Sequence, residues 1–467
     1  MQGVHTTTDQ DVIAGYLTDA SNTTGHAECL AIPRTVDEVA AVVRHCQLEG
    51  IPLTVTAQRT STTGGPVPHG GWLLSMEGLA TVHAPDDVDG GVILGVHQDE
   101  LERMGKLFPP DPTSRHECTV GAAIACNASG ARSFRYGPTR LWIEAVQVVL
   151  PTGDVLWADR NTPIPADWPV ARWIEPEVKT AAGFFPATNL LDLMIGQEGS
   201  LGIITRARLK LVDAPTDVLG LIVFFPDLPT CLSFVERARA GAARRGREAQ
   251  VGALDPRAIE YFDHHSLALA KERVPDIPPS AKTALFIEIE HDGEPPLDDW
   301  WMALLEAGAL AEDTIVADDS AGRKRLHAVR HAIPAGVNER VVANGMPKVG
   351  TDFAVPDEAL AEMMDAYAQV DMSSVCFGHI GDNHLHLNFL PCTDGELAQA
   401  RSEYRRLALK AVTLGGTVSA EHGIGKTKRG LLAEMVGAET IDDFNRLKRF
   451  IDPAWILGRG TMIDQQP

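Results

Sequence analysis

Residues 109–140 read PPDPTSRHECTVGAAIACNASGARSFRYGPTR, and from Thr119 to Gly130 most of the side chains are small. Such a run constrains a fold strongly, because it suits backbone that must come close to a partner. Glycine lets N–H groups approach a ligand and takes positive φ without strain. The small residues between Gly121 and Gly130 let a helix start press on a pyrophosphate, its dipole and free amides holding the anion. Two more glycine-rich stretches, TSTTGGPVPHGG (60–71) and GQEGSLGII (196–204), suit the same task. The plainer reading of any one of them is a set of turns.

Anion binding by amides suits this chain, whose formal charge is −22. An acidic surface repels nucleic acid phosphates and anionic headgroups, so neither is an expected partner. An anionic substrate would need local Arg or Lys. The seven cysteines are scattered and form no C-x-x-C pair, which argues against a disulfide framework, a zinc knuckle or an iron–sulfur cluster. No secretory signal is visible at MQGVHTTTDQ, and LGLIVFF (219–225) is far too short to span a bilayer. A cytoplasmic protein is expected, peripheral to a membrane only through a partner. No G-x-G-x-x-G follows an early strand, so a Rossmann site is unsupported. GIGKT (423–427) is no P-loop, because Ala420 stands where that motif needs glycine.

At 467 residues the chain needs two or three domains. Thr35 and Glu38 form a capping box for a helix with apolar Val36, Val39, Ala40, Val43 and Cys46; Gly50 ends it, and Leu53 and Val55 open a strand. A hairpin is expected over 143–157, turning at Pro151-Thr152-Gly153. Beyond LKLVDAP (209–215) strands and helices alternate, which predicts an α+β domain with an antiparallel sheet, and 400–467 reads mostly helical. Expected boundaries give 1–211, 212–400 and 401–467.

HIGDNHLHLNF (379–389) gathers three histidines. From His384 the residues alternate strictly, with His384, His386 and Asn388 on one face and Leu385, Leu387 and Phe389 on the other. A turn at Gly381-Asp382-Asn383 brings His379 back beside His386. Two imidazoles and a carboxylate make a three-ligand set with an open position for a divalent metal; a solvent-facing polar strand is the bland alternative. Glu421, in the glycine-flanked SAEHGIGK, is the candidate acid. Adjacent residues in an extended segment point apart, so His422 can face a substrate.

In order, these motifs resemble the FAD-dependent oxidoreductases of the vanillyl-alcohol oxidase type, in the D-lactate, glycolate and D-2-hydroxyglutarate dehydrogenase branch. PPDPTS…CTVGAAIACNASGARSFRYGPTR and GQEGSLGIIT match its FAD segments, and the likeness runs from about residue 30 to 460. It implies an α+β fold, with a two-subdomain FAD-binding domain, an α+β cap and a C-terminal segment that returns to complete the site. It implies FAD lined by Thr60, Ser61, Gly64, Gly65, Pro110, Thr119, Gly121, Asn127, Ser129, Gly130, Gly199 and Ile204. Where the family has a glycine-rich turn before this, the chain has Ala57-Gln58-Arg59, so Arg59 is expected either to loosen the pyrophosphate loop or to add a charge contact.

The resemblance also implies a metal held by His379, His386 and Glu421, with zinc first and manganese or iron as alternatives. His422 is implied as the base, and Arg330 and Lys348 as the carboxylate-binding cations. The bland reading of Arg330 is a solvated basic helix. Asn388 is a candidate substrate partner, and His384, where many relatives carry asparagine, is placed with the substrate as well. Together these predict oxidation of a D-2-hydroxy acid, with hydride passing to flavin N5 and the electrons onward to a quinone, a cytochrome or an electron-transfer flavoprotein. A flavin subunit of a glycolate oxidase complex and a metal-dependent hydrolase are the alternatives. A homodimer is compatible with either.

Overall fold

A computed structural model describes residues 3–245, 247–271, 277–317 and 319–464. Near the N-terminus, strands Cys29–Ile32 and Leu53–Thr56 flank Trp72–Ser75 in parallel, and His5–Thr7 pairs antiparallel on the outer edge. Helix Val36–Glu49 covers this sheet, burying Val39, Val43 and Cys46. Thr35 caps it by accepting from Glu38 N, and Gly50 ends it at φ 66°. The box is one residue wider than expected, because Glu38 reaches back to Arg34 N rather than to Thr35 N.

A second sheet is wholly antiparallel, in the order Val82–Ala84, Asp87–Asp89, Ile203–Leu209, Ile143–Val149, Val155–Asp159. Its last two strands are the expected hairpin, with Gly153 at φ 82°. A third sheet has eight strands, all paired antiparallel. Its centre is Thr283–His291, Pro256–Phe262, Ser374–His379 and His384–Phe389, in that order. Phe353–Ala354 and Val349–Gly350 both pair with His384–Phe389. Helices, alternating in sequence with these strands, supply its cover, and mixed helix and sheet is thus the fold class.

Residue 400 lies inside helix Asp394–Thr413. No helix among the described residues is long and apolar enough to cross a membrane.

Two placements bring the C-terminal segment back onto the first half. Glu198 Oε1 and Oε2 accept from Ile424 N and Gly425 N, both at 2.8 Å. Lys426 Nζ donates to the carbonyls of Gly65 (2.8 Å) and Val67 (2.6 Å). The segment threads so narrowly that only glycine fits: a Cβ on Gly425 would lie 2.2 Å from Thr63 O, and one on Gly423 would lie 2.8 Å from Glu198 Oε1.

Candidate active site: a histidine-and-carboxylate centre beside glycine-rich loops

Strands Ser374–His379 and His384–Phe389 are register partners, pairing His379 with His384 and Phe377 with His386. The reversal uses Asn383 at φ 54°, a left-handed position that asparagine tolerates. Gly378 is needed beside it, because a Cβ there would sit 3.1 Å from the His386 ring and 3.0 Å from His384 O. The two strands thus present His379 and His386 side by side, ring centroids 5.9 Å apart.

Glu421 completes the set. Its Oε1 lies 3.7 Å from His379 Nε2 and 3.5 Å from His386 Nε2. Ligand atoms about 2.1 Å from a tetrahedral ion stand about 3.4 Å apart, so the spacing fits a metal better than direct hydrogen bonds. Glu421 Oε2 and His379 Nδ1 are buried, and their near neighbours are charged groups, Lys179 Nζ at 2.9 Å and Glu260 Oε1 at 3.1 Å. The potential ligand atoms of His379, His384, His386 and Glu421 all lie within 4.8 Å of one another, as do those of Asp352, His386 and His422.

Asp352, fully buried, organises the other side. It accepts from Glu421 N (3.2 Å), His422 N (3.1 Å), Ser419 Oγ (2.8 Å) and Lys428 Nζ (2.6 Å). One carboxylate gripping two successive amides bends the chain there. As a result Glu421 and His422 do not point apart as an extended segment would have them. His422 Nε2 lies 3.7 Å from Glu421 Oε1 and its Nδ1 3.5 Å from Asp352 Oδ2. Its ring stacks on His386 at 12°.

Of the three strand histidines, His384 sits deepest. It is fully buried, with Nε2 2.9 Å from Asp352 Oδ1 and Nδ1 3.8 Å from Glu421 Oε2. It lies behind the other two imidazoles and is grouped with the candidate ligand atoms. His386, 15% exposed and fixed by Nδ1 at 2.8 Å from Thr351 O, holds the front position.

Electrostatics follow the geometry. Burial and then Lys179 push His379 down, but Glu421 and Glu260 outweigh them and raise it to about 9. Burial, with His386 and Lys179 next, lowers His384 to about 3. Burial also holds His422 below its ordinary value against the pull of Asp352 and Glu421, which keeps it neutral.

The cations are placed unevenly. Arg330 grips Glu260 with two nitrogens, Nε to Oε2 at 2.5 Å and Nη2 to Oε1 at 3.0 Å, and Glu260 in turn meets His379 Nδ1 at 3.1 Å. It is no solvated surface arginine; its fork is committed inside the protein. Lys348 is exposed next to Val349, which pairs with Phe389. Asn388 is buried and donates to His386 O at 3.1 Å.

Among the FAD candidates, Gly64 and Gly199 take left-handed φ of 75° and 71°. Gly64 N donates to Asp19, and a Cβ on Gly65 would come 3.8 Å from Glu198 and 3.9 Å from Ser61. Thr60 precedes Ser61 in the same loop. Thr119 caps helix Val120–Ala125 by accepting from Ala122 N. Gly121 and Gly130 are required by the chain itself: a Cβ would lie 2.8 Å from Gly90 O and 2.0 Å from Asp111 O respectively. Pro110 O accepts from Gln98. Asn127, at φ 47°, accepts from Arg140 N, and buried Ile204 lies against Gly90. Ser129 Oγ is buried without a partner, an acceptor or donor left for a bound group. Arg59 takes φ 59° in place of glycine. Its guanidinium pairs with Glu77 at 3.0 Å and lies 4.6 Å over Tyr16.

Sequence reasoning missed Glu260, Asp352 and Lys179. Glu260 and Asp352 are each a lone charge in an apolar run, AIEYF and GTDFAV, and Lys179 heads the otherwise uncharged run KTAAGFF; that pattern is the signal that could have found them.

Residues 27–159 match the family described as FAD binding domain, and residues 230–462 match FAD linked oxidases, C-terminal domain. A D-lactate dehydrogenase of Anaerostipes hadrus is 31% identical over 93% of this chain and 89% of its own length. A D-2-hydroxyglutarate dehydrogenase of Xanthomonas citri pv. viticola is 28% identical over 93% and 89%, and the glycolate oxidase subunit GlcD of Bacillus subtilis is 27% identical over 93% and 88%. An alkyldihydroxyacetonephosphate synthase structure superposes with a TM-score of 0.67 at 15% identity, over 97% of this chain and 81% of its own. The chain belongs to the FAD-linked oxidoreductases of the vanillyl-alcohol oxidase type, in the branch of the D-lactate, glycolate and D-2-hydroxyglutarate dehydrogenases.

Proposed function

We propose that the protein oxidises a D-2-hydroxy acid, of the D-lactate, glycolate or D-2-hydroxyglutarate kind, to the 2-oxo acid. The observation that carries this reading is the convergence of His379 Nε2 and His386 Nε2 on Glu421 Oε1, at 3.7 and 3.5 Å, with Glu421 in a segment bonded to the glycine-rich loops. FAD, when bound, accepts hydride, and a divalent ion held by the three ligands lowers the pKa of a substrate hydroxyl. Zinc suits the nitrogen-rich set, with manganese or iron as alternatives.

His422 takes the hydroxyl proton. Asp352 beside its Nδ1 favours the tautomer with the proton there, which leaves Nε2 free as the accepting atom. About a third of the His422 side chain is exposed (32%), so the proton has a way out. Lys348 offers the open cation for the substrate carboxylate. Arg330, engaged by Glu260, supports His379 first and adds positive field second. Asn388 steadies the strand that carries His386. In this reading residues 1–211 hold FAD, 212–400 form the cap, and 401–467 return Glu421 and His422. The final acceptor is a quinone, a cytochrome or an electron-transfer flavoprotein.

The test is anaerobic mixing of the purified protein with a panel of D- and L-2-hydroxy acids, with and without a chelator. Bleaching of the flavin by D-acids alone, lost on chelation, is expected. A colourless protein that FAD does not reconstitute sinks the proposal. A second reading has support in the likeness to GlcD, which is itself named a subunit. Turnover of the isolated chain with an artificial dye separates the two.

A further inference from the structure

Lys179 lies in the loop between Asp159 and Leu190, yet its side chain is 1% exposed. The loop is tied down immediately after it. Thr180 Oγ1 meets Thr417 Oγ1 at 2.9 Å and Ala181 N donates to Ser419 O at 2.9 Å. Lys179 Nζ donates to Gly130 O at 3.2 Å and reaches Glu421 Oε2 at 2.9 Å. The two oxygens of Glu421 therefore have separate surroundings. Oε1 faces His379, His386 and His422, whereas Oε2 faces Lys179, with His384 Nδ1 at 3.8 Å.

An ammonium buried this deeply is costly unless its charge is used. A carboxylate can coordinate through one oxygen or two, and a substrate that meets the ion through both hydroxyl and carboxylate needs positions left open. We propose that Lys179 is a positioning residue of the metal centre: it occupies Glu421 Oε2, leaving Oε1 as the single ligating oxygen, and its charge weakens the hold on the ion while keeping positions open for a hydroxy acid. This rests on the metal-centre reading above. A purely structural counter-ion to Glu421 makes the opposite prediction, since its loss would disorder the carboxylate and loosen the ion.

The experiment compares wild type, Lys179→Met and Lys179→Arg as purified flavoproteins, each stripped by a chelator and titrated with zinc against a chromophoric competitor. The flavin absorbance of each serves as the check on folding. Lys179→Met should hold zinc about 10-fold more tightly, with a raised KM for the D-2-hydroxy acid. Lys179→Arg should keep the wild-type affinity. Lys179→Gln, uncharged but still a donor, must behave as Lys179→Met and stands in for it if that variant loses its flavin. Equal or weaker zinc binding by the uncharged variants, with FAD retained, overturns the role of Lys179 alone. Wild type that takes up no zinc, manganese or iron overturns the metal centre and this inference with it.

Discussion

Glu260 Oε1 lies 3.1 Å from His379 Nδ1, on the side of the ring away from Glu421. A carboxylate in that place fixes the tautomer and raises the basicity of a ligating imidazole. Arg330 and then His379 hold the buried Glu260 ionised, against the opposing effect of burial. Glu260→Gln should lower metal affinity by roughly 10- to 100-fold while FAD stays bound. Chelator competition measures it, and an unchanged affinity would show that Glu260 merely balances Arg330.

Removal of the metal should leave the protein yellow but unreactive. Dialysis against a chelator is expected to preserve the flavin absorbance and abolish its bleaching by D-2-hydroxy acids, with recovery on adding back zinc or manganese. Full activity in the stripped protein would remove the centre from the mechanism.

His422→Ala should keep FAD and metal, since the ligand atoms of His379, His386 and Glu421 are untouched. Turnover should fall by about 10²-fold or more, the usual scale for losing a general base. Stopped-flow flavin reduction is the measurement; a near-normal rate assigns the proton to another group.

Asp352→Ala should cost roughly 3–5 kcal/mol of stability, because it strands the buried Lys428 ammonium that Asp352 meets at 2.6 Å. Denaturant unfolding reads the loss. Adding Lys428→Met to the same chain should restore part of it, the signature of a coupled pair.

Burial raises the Glu198 carboxyl to about 7 from its ordinary 4.5, against the lowering by Ile424 N and Gly425 N. A folded-state pKa above the unfolded one means that the contribution to stability is complete below about 4.5 and is lost as pH rises through about 7. The melting temperature should therefore decline between about pH 4.5 and 7 in wild type. Glu198→Gln should show a shallower decline over the same range; an identical slope would assign the pH dependence to other groups.

How much of this was legible beforehand depends on the range over which each residue acts. Helix Val36–Glu49 and the hairpin at Gly153 were readable because a capping threonine, a terminal glycine and a β-turn act within a few residues. His379 and His386 were readable for the same reason, a two-residue strand period and one tight turn. The direction of His422 was not, because it is set by Asp352, far back in the chain between two short strands, gripping two successive amides. Nor was the depth of His384, since alternation says which face a residue is on but not what lies over that face. Arg330 reads as one more charge in a basic helix until Glu260 on a neighbouring strand claims it.

The latch formed by Glu198, Thr63 and Lys426 has a consequence for biogenesis. Glu421 is translated after both histidines, and the amides and ammonium that grip the early loops are translated immediately behind it. A growing polypeptide on the ribosome thus carries an incomplete ligand set and unlatched loops together. In the proposed reading, a chain cut short before residue 421 would lack the carboxylate ligand, the base His422 and the latch together, and so would be inert rather than half-active.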